Sequence, residues 1–168
     1  KAIDVSAWQE NINWASVKSA GVKLAILREG YRNTIDKYFL QNVKGCKANG
    51  IAVHIYHFLY WDGATIRQNA ESTVANMKQA GLDLATTYVW VDLEYDSWTK
   101  AGETVSKSRC SAIILEYIKY LKELGIKHIG VYYNLDYARN YISDDVKAYP
   151  CWLAQYSDSY NTAYKPVL

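Results

Sequence analysis

Residues 24–29 read Leu24-Ala25-Ile26-Leu27-Arg28-Glu29, four apolar side chains followed by two charged ones. Successive residues of a strand point to opposite faces. This run is therefore apolar on both faces, as a strand in a parallel sheet covered on both sides should be. The charged pair marks its carboxyl end. Working outward, Ala2 to Ser6, Ile51 to Tyr60, Tyr88 to Leu93, His128 to Tyr133 and Cys151 to Tyr156 also read as strands, several rich in β-branched and aromatic residues. Helical stretches lie between them. Asn13 can cap a helix running to about Ala20, Asp36 precedes one reaching Asn49, and further helices span Ala64 to Ala80 and Ser106 to Leu124. Gly21, Gly50, Gly81 and Gly125 stand where these should stop. In the longest helix Ile114, Tyr117, Ile118 and Leu121 recur at helical spacing. Tyr137 to Tyr141 reads as a short helical turn. The tail around Pro166 has no clear element. This alternation predicts an α/β fold with right-handed crossovers and a parallel sheet, either open and doubly wound or closed as a barrel. No phosphate-binding Gly-rich loop follows the first strand, which weakens a nucleotide-binding version.

Bulk properties narrow the function. The chain has 168 residues, enough for one domain with its own core. Half of the residues are hydrophobic, yet no apolar run approaches membrane-spanning length. The net charge of +2, with no Lys/Arg-rich run, gives no argument for nucleic acid. Cys46, Cys110 and Cys151 are widely spaced and odd in number, so they suggest neither a disulfide framework nor a zinc site. Cys46 and Cys110 are expected as small buried apolar residues in helices. The chain starts at Lys1 rather than Met, and it is read as a processed or trimmed piece of something longer. Its 16 Tyr and 6 Trp against 2 Phe give many flat apolar faces with polar tips, which suit stacking on sugar rings as well as ordinary packing.

In parallel α/β folds chemistry collects at the carboxyl ends of strands. Here those ends read Asp4-Val5-Ser6, Arg28-Glu29, Tyr56-His57-Phe58, Asp92-Leu93-Glu94, Tyr132-Tyr133-Asn134 and Gln155-Tyr156. All six are polar or amphipathic in an otherwise apolar chain, which predicts a polar cleft ringed with aromatics. Asp92 and Glu94 are the sharpest pair. As residues i and i+2 they share a face, with Cα atoms roughly 7 Å apart. Two like charges at that spacing in an apolar setting push one pKa upward, so that one group holds a proton near neutrality. Glu94 has the longer reach and is expected to be the general acid. Asp92 sits deeper and would stabilise positive charge, with Asp4 as a third acid tuning the pair. A salt bridge between this pair and Arg28 is the competing structural reading. Metal binding is not expected, since no histidine pair has ligand spacing and the cysteines lie far off. No cofactor is expected either.

Taken together these residues resemble the Chalaropsis-type lysozymes of glycoside hydrolase family 25. The match runs through Ile3-Asp4-Val5-Ser6-Ala7-Trp8-Gln9, Ile12-Asn13-Trp14, Leu27-Arg28-Glu29-Gly30-Tyr31, Asp36 with Phe39, and Tyr56-His57-Phe58. It continues through Val91-Asp92-Leu93-Glu94, Val131-Tyr132-Tyr133-Asn134 and Trp152-Leu153-Ala154-Gln155-Tyr156. The resemblance implies a flattened, TIM-like β/α barrel and cleavage of the β-1,4 bond between N-acetylmuramic acid and N-acetylglucosamine in peptidoglycan. It implies Glu94 as general acid with Asp92 and Asp4 as acidic partners, and the Asp-x-Glu pair is also similar to that of enzymes in which the substrate's own acetamido group attacks. Tyr56, His57, Arg28, Tyr31, Tyr132, Asn134, Trp152 and Gln155 are the expected substrate-binding residues. The implied partner is bacterial cell-wall peptidoglycan, met by a monomeric, extracellular or wall-acting enzyme from a bacterium or a phage, without nucleic acid or membrane. Two departures stand out. The family usually writes Arg-Ala-Gly where this chain has Arg28-Glu29-Gly30. Members also usually continue past the Trp-x-Ala-Gln-Tyr segment, so residues 1–168 are expected to form a single catalytic domain lacking the last family strand or strands. A carbohydrate-binding module without turnover and a chitinase-like glycosidase with Asp-x-Glu at its fourth strand are the other readings.

Overall fold

A computed structural model describes residues 1–156 and 162–168. Strand β1 (Ala2–Val5) leads through a 3-10 turn at Ala7–Gln9 into α1 (Trp14–Ser19), then β2 (Leu24–Tyr31), β3 (Thr34–Ile35), α2 (Phe39–Ala48), β4 (Ala52–Phe58) and α3 (Ile66–Gln79). The second half holds β5 (Tyr88–Asp92), α4 (Tyr95–Ala101), α5 (Lys107–Glu123), β6 (His128–Asn134), α6 (Leu135–Asn140), α7 (Asp144–Lys147) and β7 (Cys151–Ala154). Six strands run parallel in the order β1-β2-β4-β5-β6-β7, and β3 pairs antiparallel with the end of β2. The sheet curls into half a barrel, a modified form of the expected TIM-like fold.

Alternation along the strands divides the protein in two. Leu27, Ile55, Val89, Val91 and Val131 join Met77 of α3 and Ile113, Ile114, Tyr117, Ile118 and Leu121 of α5 in one buried cluster. Their neighbours Ile26, Tyr56 and Trp90 form a second, smaller cluster on the opposite, concave face. The two-sided apolar character of β2 is thereby accounted for, with Leu27 in one cluster and Ile26 in the other. Gly130 is part of the same packing. A Cβ there would lie 2.2 Å from Cζ3 of Trp90, so only glycine lets the indole lie against β6.

The helix starts follow the polar residues that precede them. Asn13 accepts from Ser16 N at 3.0 Å, Thr65 from Gln68 N at 3.1 Å and Ser106 from Arg109 N at 3.4 Å, each satisfying a backbone donor that the first turn leaves open. At Gly125, φ is +102°, a conformation that a side chain would strain.

The structure departs from the expected elements in four places. Strand β5 ends at Asp92, and Glu94 is the N-cap residue of α4, a helix that was not expected. The hairpin of β2 with β3 and the short α7 were also not expected. The tail is not without structure, because Val167 N donates to Cys151 O (2.8 Å) and Leu168 O accepts from Leu153 N (3.2 Å) along the outer edge of β7.

Candidate active site

The concave face gathers its chemistry in one row across four strands. Phe58 pairs with Asp92, Asp92 with Tyr132, and Tyr132 with Trp152. Above this row opens a cavity of about 410 Å³. Its floor and walls are Asp4 and Ser6 from the end of β1, Arg28 from β2, Tyr56 and Phe58 from β4, Asp92 and Glu94, Tyr132, and Trp152 with Gln155 and Tyr156. A second cavity of about 460 Å³ adjoins it, sharing Trp8, Arg28, Phe58 and Glu94 and adding Tyr31, Arg32, Tyr60 and Asp96. Glu94 thus stands where the two chambers meet.

Glu94 lies beyond the last residue of β5, yet its backbone is still extended (φ −126°, ψ 177°). The two-residue period therefore carries past the strand, and Glu94 and Asp92 share a side while Leu93 turns into the helix-facing core. Asp92 is 5% exposed and Glu94 half-buried. The two carboxyl groups lie within hydrogen-bonding reach of each other, and Tyr132 lies within reach of Glu94. Burial pushes the Asp92 carboxyl well above the usual range, helped by the charge of Glu94 and of Asp4 and opposed by Arg28. Burial also raises Glu94, against the hydrogen bonds from Asp92 and Tyr132. Asp4 is raised by burial. Burial thus favours the proton on Asp92, the more deeply buried of the two, over Glu94. Asp92 Oδ1 is buried without a partner among the described residues. An unpartnered acceptor of that kind calls for an explanation, and a ligand's N–H or O–H supplies one.

Arg28 does not form the salt bridge with Asp92 that was the competing reading. Its Nε and Nη2 both lie 2.8 Å from Asp36 Oδ2. Asp36 also accepts from Ala7 N (3.0 Å) and Tyr38 N (3.0 Å), so one buried carboxylate fixes Arg28, the turn after β1 and the approach to α2.

Of the predicted site residues, Asp4, Asp92, Glu94, Tyr56, Arg28, Tyr132, Trp152 and Gln155 line the first cavity, and Tyr31 lines the second. Two do not. His57 is fully buried on the other face of β4, because it alternates with Tyr56 and Phe58. Asn134 is the N-cap of α6, accepting from Tyr137 N at 3.0 Å, and borders neither cavity. Trp8, Ser6 and Phe58 line the site as well, although none of them was among the expected substrate-binding residues. Trp8 is 83% exposed at the junction of both chambers. Its place just after a polar strand end, and the alternation of Phe58 with Tyr56, were the available signals. Among the described residues no three His, Cys, Asp or Glu side chains form a metal-binding group.

Comparison with known proteins fits this geometry. The family model of glycosyl hydrolases family 25 matches residues 3–167. The chain is 42% identical over 77 residues to lysozyme M1 of Streptomyces globisporus, covering 45% of this chain and 24% of that protein. It is 24% identical over 161 residues to the autolytic lysozyme of Clostridium acetobutylicum, covering 95% and 46%. It thus spans less than half the length of either relative. The fold is shared with the modular autolysin LytC from Streptococcus pneumoniae (TM-score 0.82, 21% identity, 97% of this chain and 39% of that one). It is shared too with a family 25 glycosyl hydrolase from Bacillus anthracis (TM-score 0.75, 19% identity, 90% and 68%).

Proposed function

The chain belongs to glycosyl hydrolases family 25, and from that premise we propose that it hydrolyses bacterial cell-wall peptidoglycan at the β-1,4 bond between N-acetylmuramic acid and N-acetylglucosamine, with Glu94 as general acid. The observation that carries this reading is the buried, unpartnered Oδ1 of Asp92 beside Glu94 in a cavity walled by Tyr56, Tyr132 and Trp152. An acetamido N–H is a donor of the size and chemistry that this acceptor lacks. Aromatic walls suit the apolar faces of sugar rings.

The chemistry follows from the pair. A substrate N–H donating to Asp92 favours its anion, and the shared proton then passes to Glu94. Glu94 protonates the bridging oxygen as its bond to the anomeric carbon breaks. The acetamido oxygen attacks that carbon from the opposite face, giving a cyclic oxazolinium ion whose N–H is held by Asp92. Glu94, now the base, takes a proton from water, and the water oxygen opens the ring. Two displacements at one carbon leave its configuration retained, as in the substrate-assisted exceptions to the two-carboxylate scheme. Asp4 is the third acid beneath them.

Lysozyme M1 and the autolytic lysozyme support the substrate class by name, and LytC has been studied with a synthetic peptidoglycan ligand. The enzyme acts at the cell wall as a monomer, either secreted by a bacterium or made by a phage. No described helix is long and apolar enough to cross a membrane. Loss of turbidity in a peptidoglycan suspension tests the activity, and equal clearing by wild type and Glu94→Gln would refute the assignment. Chitin oligomers left intact while muramyl glycans are cut exclude a chitinase-like enzyme. A product of inverted anomeric configuration, seen by proton NMR, overturns the acetamido route.

A further inference from the structure

Behind the sheet lies a buried polar cluster that this chemistry does not use. Glu29 and His57 are both 0% exposed, and they face α3 and α5 rather than the cavity. Glu29 is the residue by which β2 outruns β4. Arg28 pairs with Tyr56 and Gly30 with His57, so Glu29 has no ladder partner and makes a bulge. Its carboxylate lies 2.5 Å from His57 Nδ1 and 2.6 Å from both Thr73 Oγ1 and Asn76 Nδ2. The Thr73 hydroxyl donates to Glu29 and receives from Tyr117 Oη at 2.7 Å. Burial and the charge of Glu29 hold the Tyr117 hydroxyl well above its usual range, so it remains a donor.

The second ring nitrogen of His57 settles the proton count. Nε2 lies 2.7 Å from Asn69 Oδ1. The Asn69 amide cannot be turned round, because its Nδ2 donates to the carbonyls of Tyr60 and Thr65, both at 2.8 Å. Nε2 must therefore donate, and one further proton lies between Nδ1 and the Glu29 carboxyl; with Thr73 and Asn76 already donating to that carboxyl, the proton belongs on the ring. Glu29 from β2, Tyr117 stacked at 5.5 Å from α5, and the uncharged Asn69 and Thr73 from α3 are the groups that face the ring.

We propose that His57 and Glu29 form a buried imidazolium–carboxylate pair that positions the wall of the second chamber. The pair fixes the bulge between Arg28, which enters both chambers, and Gly30, which starts the hairpin carrying Tyr31 and Arg32. Through Asn69 it also holds the carbonyl of Tyr60, on the facing wall of the same chamber. A charged pair taken out of water is costly unless its geometry is complete. Here three donors converge on the carboxylate and both ring protons are placed. His57 and Glu29 are positioning residues, touching no substrate.

The positioning role rests on the glycosidase reading, whereas the charge state does not. In the full chain labelled with ¹⁵N-histidine, His57 shows two ring N–H protons and imidazolium nitrogen shifts. A single ring proton overturns the pair. On peptidoglycan fragments, Glu29→Ala raises KM about ten-fold, with a smaller fall in kcat per folded molecule. Glu29→Gln, which can still bond His57 and Asn76, restores most of that loss while His57 gives up one ring proton. If kinetics per folded molecule are unchanged in both variants and only the yield or Tm falls, the pair is structural and the positioning role is wrong. If wild type cleaves no glycan, the function fails and takes the positioning role with it, but the ring-proton result stands.

Discussion

Asp92→Asn is expected to move stability and activity in opposite directions. Asp92 is 5% exposed and its carboxyl is raised well above the usual range, chiefly by burial and then by Glu94. A carboxyl raised on folding supports the fold below its unfolded pKa of about 3.9, and that support is lost as pH rises through the folded value. At neutral pH the wild type therefore carries a cost of about 1.4 kcal/mol for each unit by which the proton is held too tightly or the charge buried. Asparagine has the same shape. Its Nδ2 can donate to Glu94, and its Oδ1 is left as unpartnered as that of Asp92 is now. No new orphan is created, and the cost of holding a proton on Asp92 at pH 7 is removed. A gain of about 1–3 kcal/mol at pH 7 follows, the size usual for a single buried-site substitution. In a domain of this size that raises Tm by about 2–4 °C per kcal/mol. The gain shrinks at pH 4, where the wild-type pair is already protonated. Activity falls by about 10²-fold or more, since the group that orients the acetamido nitrogen and hands its proton to Glu94 is gone. Differential scanning calorimetry at pH 4 and pH 7, with clearing rates on the same preparations, decides it. A variant less stable than wild type at pH 7 refutes the account of Asp92 as a strained buried acid. A variant that clears walls at the wild-type rate refutes its role.

Other perturbations probe the remaining parts. The alkaline limb of kcat/KM should lie above the ordinary carboxylate range because burial raises both members of the pair, and Asp92→Asn should move that limb down; a limb near pH 4 in wild type contradicts the pair. Arg28→Ala leaves the buried Asp36 carboxylate without its cation and costs about 3–5 kcal/mol, read from urea unfolding. Gly130→Ala drives a methyl group into Trp90 beneath the catalytic row and costs about 1–3 kcal/mol in the same assay. Trp8→Ala removes an exposed ring, so stability changes by less than about 0.5 kcal/mol while KM for wall fragments rises, measured by steady-state kinetics.

The sequence showed the fold through its alternation and its caps, because both are local. Asn13, Thr65 and Ser106 begin helices by bonding their own next turn. The apolar run 24–27 has to be covered twice whatever else the chain does. The acid pair was legible for the same reason, since two residues of extended backbone settle which side it faces. Legibility failed where a polar side chain answers to a partner far along the chain. His57 looked like part of the cleft because it ends a strand, but Glu29 and Asn69, 28 and 12 residues away, hold it behind the sheet. Arg28 looked like a partner for Asp92 until Asp36 claimed it. Asn134 differs, because its partner Tyr137 N is local; the cap is hidden only because the helical pattern is weak before Tyr137, while α6 begins at Leu135.

The placement of Glu94 explains how one strand can serve both packing and chemistry. Along β5, Val89 and Val91 belong to the helix-facing core, while Trp90 and Asp92 point into the concave face. A second acid within the strand would have needed a further ladder residue on each side of it. The ladder instead ends at Asp92, whose carbonyl accepts from Leu59 N at 2.8 Å. Two residues later Glu94 caps α4, and its N–H is taken up by Ser97 Oγ at 3.4 Å. Glu94 therefore keeps the strand's direction without being walled in by neighbouring strands. It is half-buried, reaches both chambers, and still touches the deeper acid. A strand that continued to residue 94 would flank the acid on both sides and deny it the second chamber. A helix that began at residue 92 would swing Glu94 roughly 200° round its axis from Asp92, at about 100° per residue. The proposed acid pair depends on the extended backbone stopping where it does.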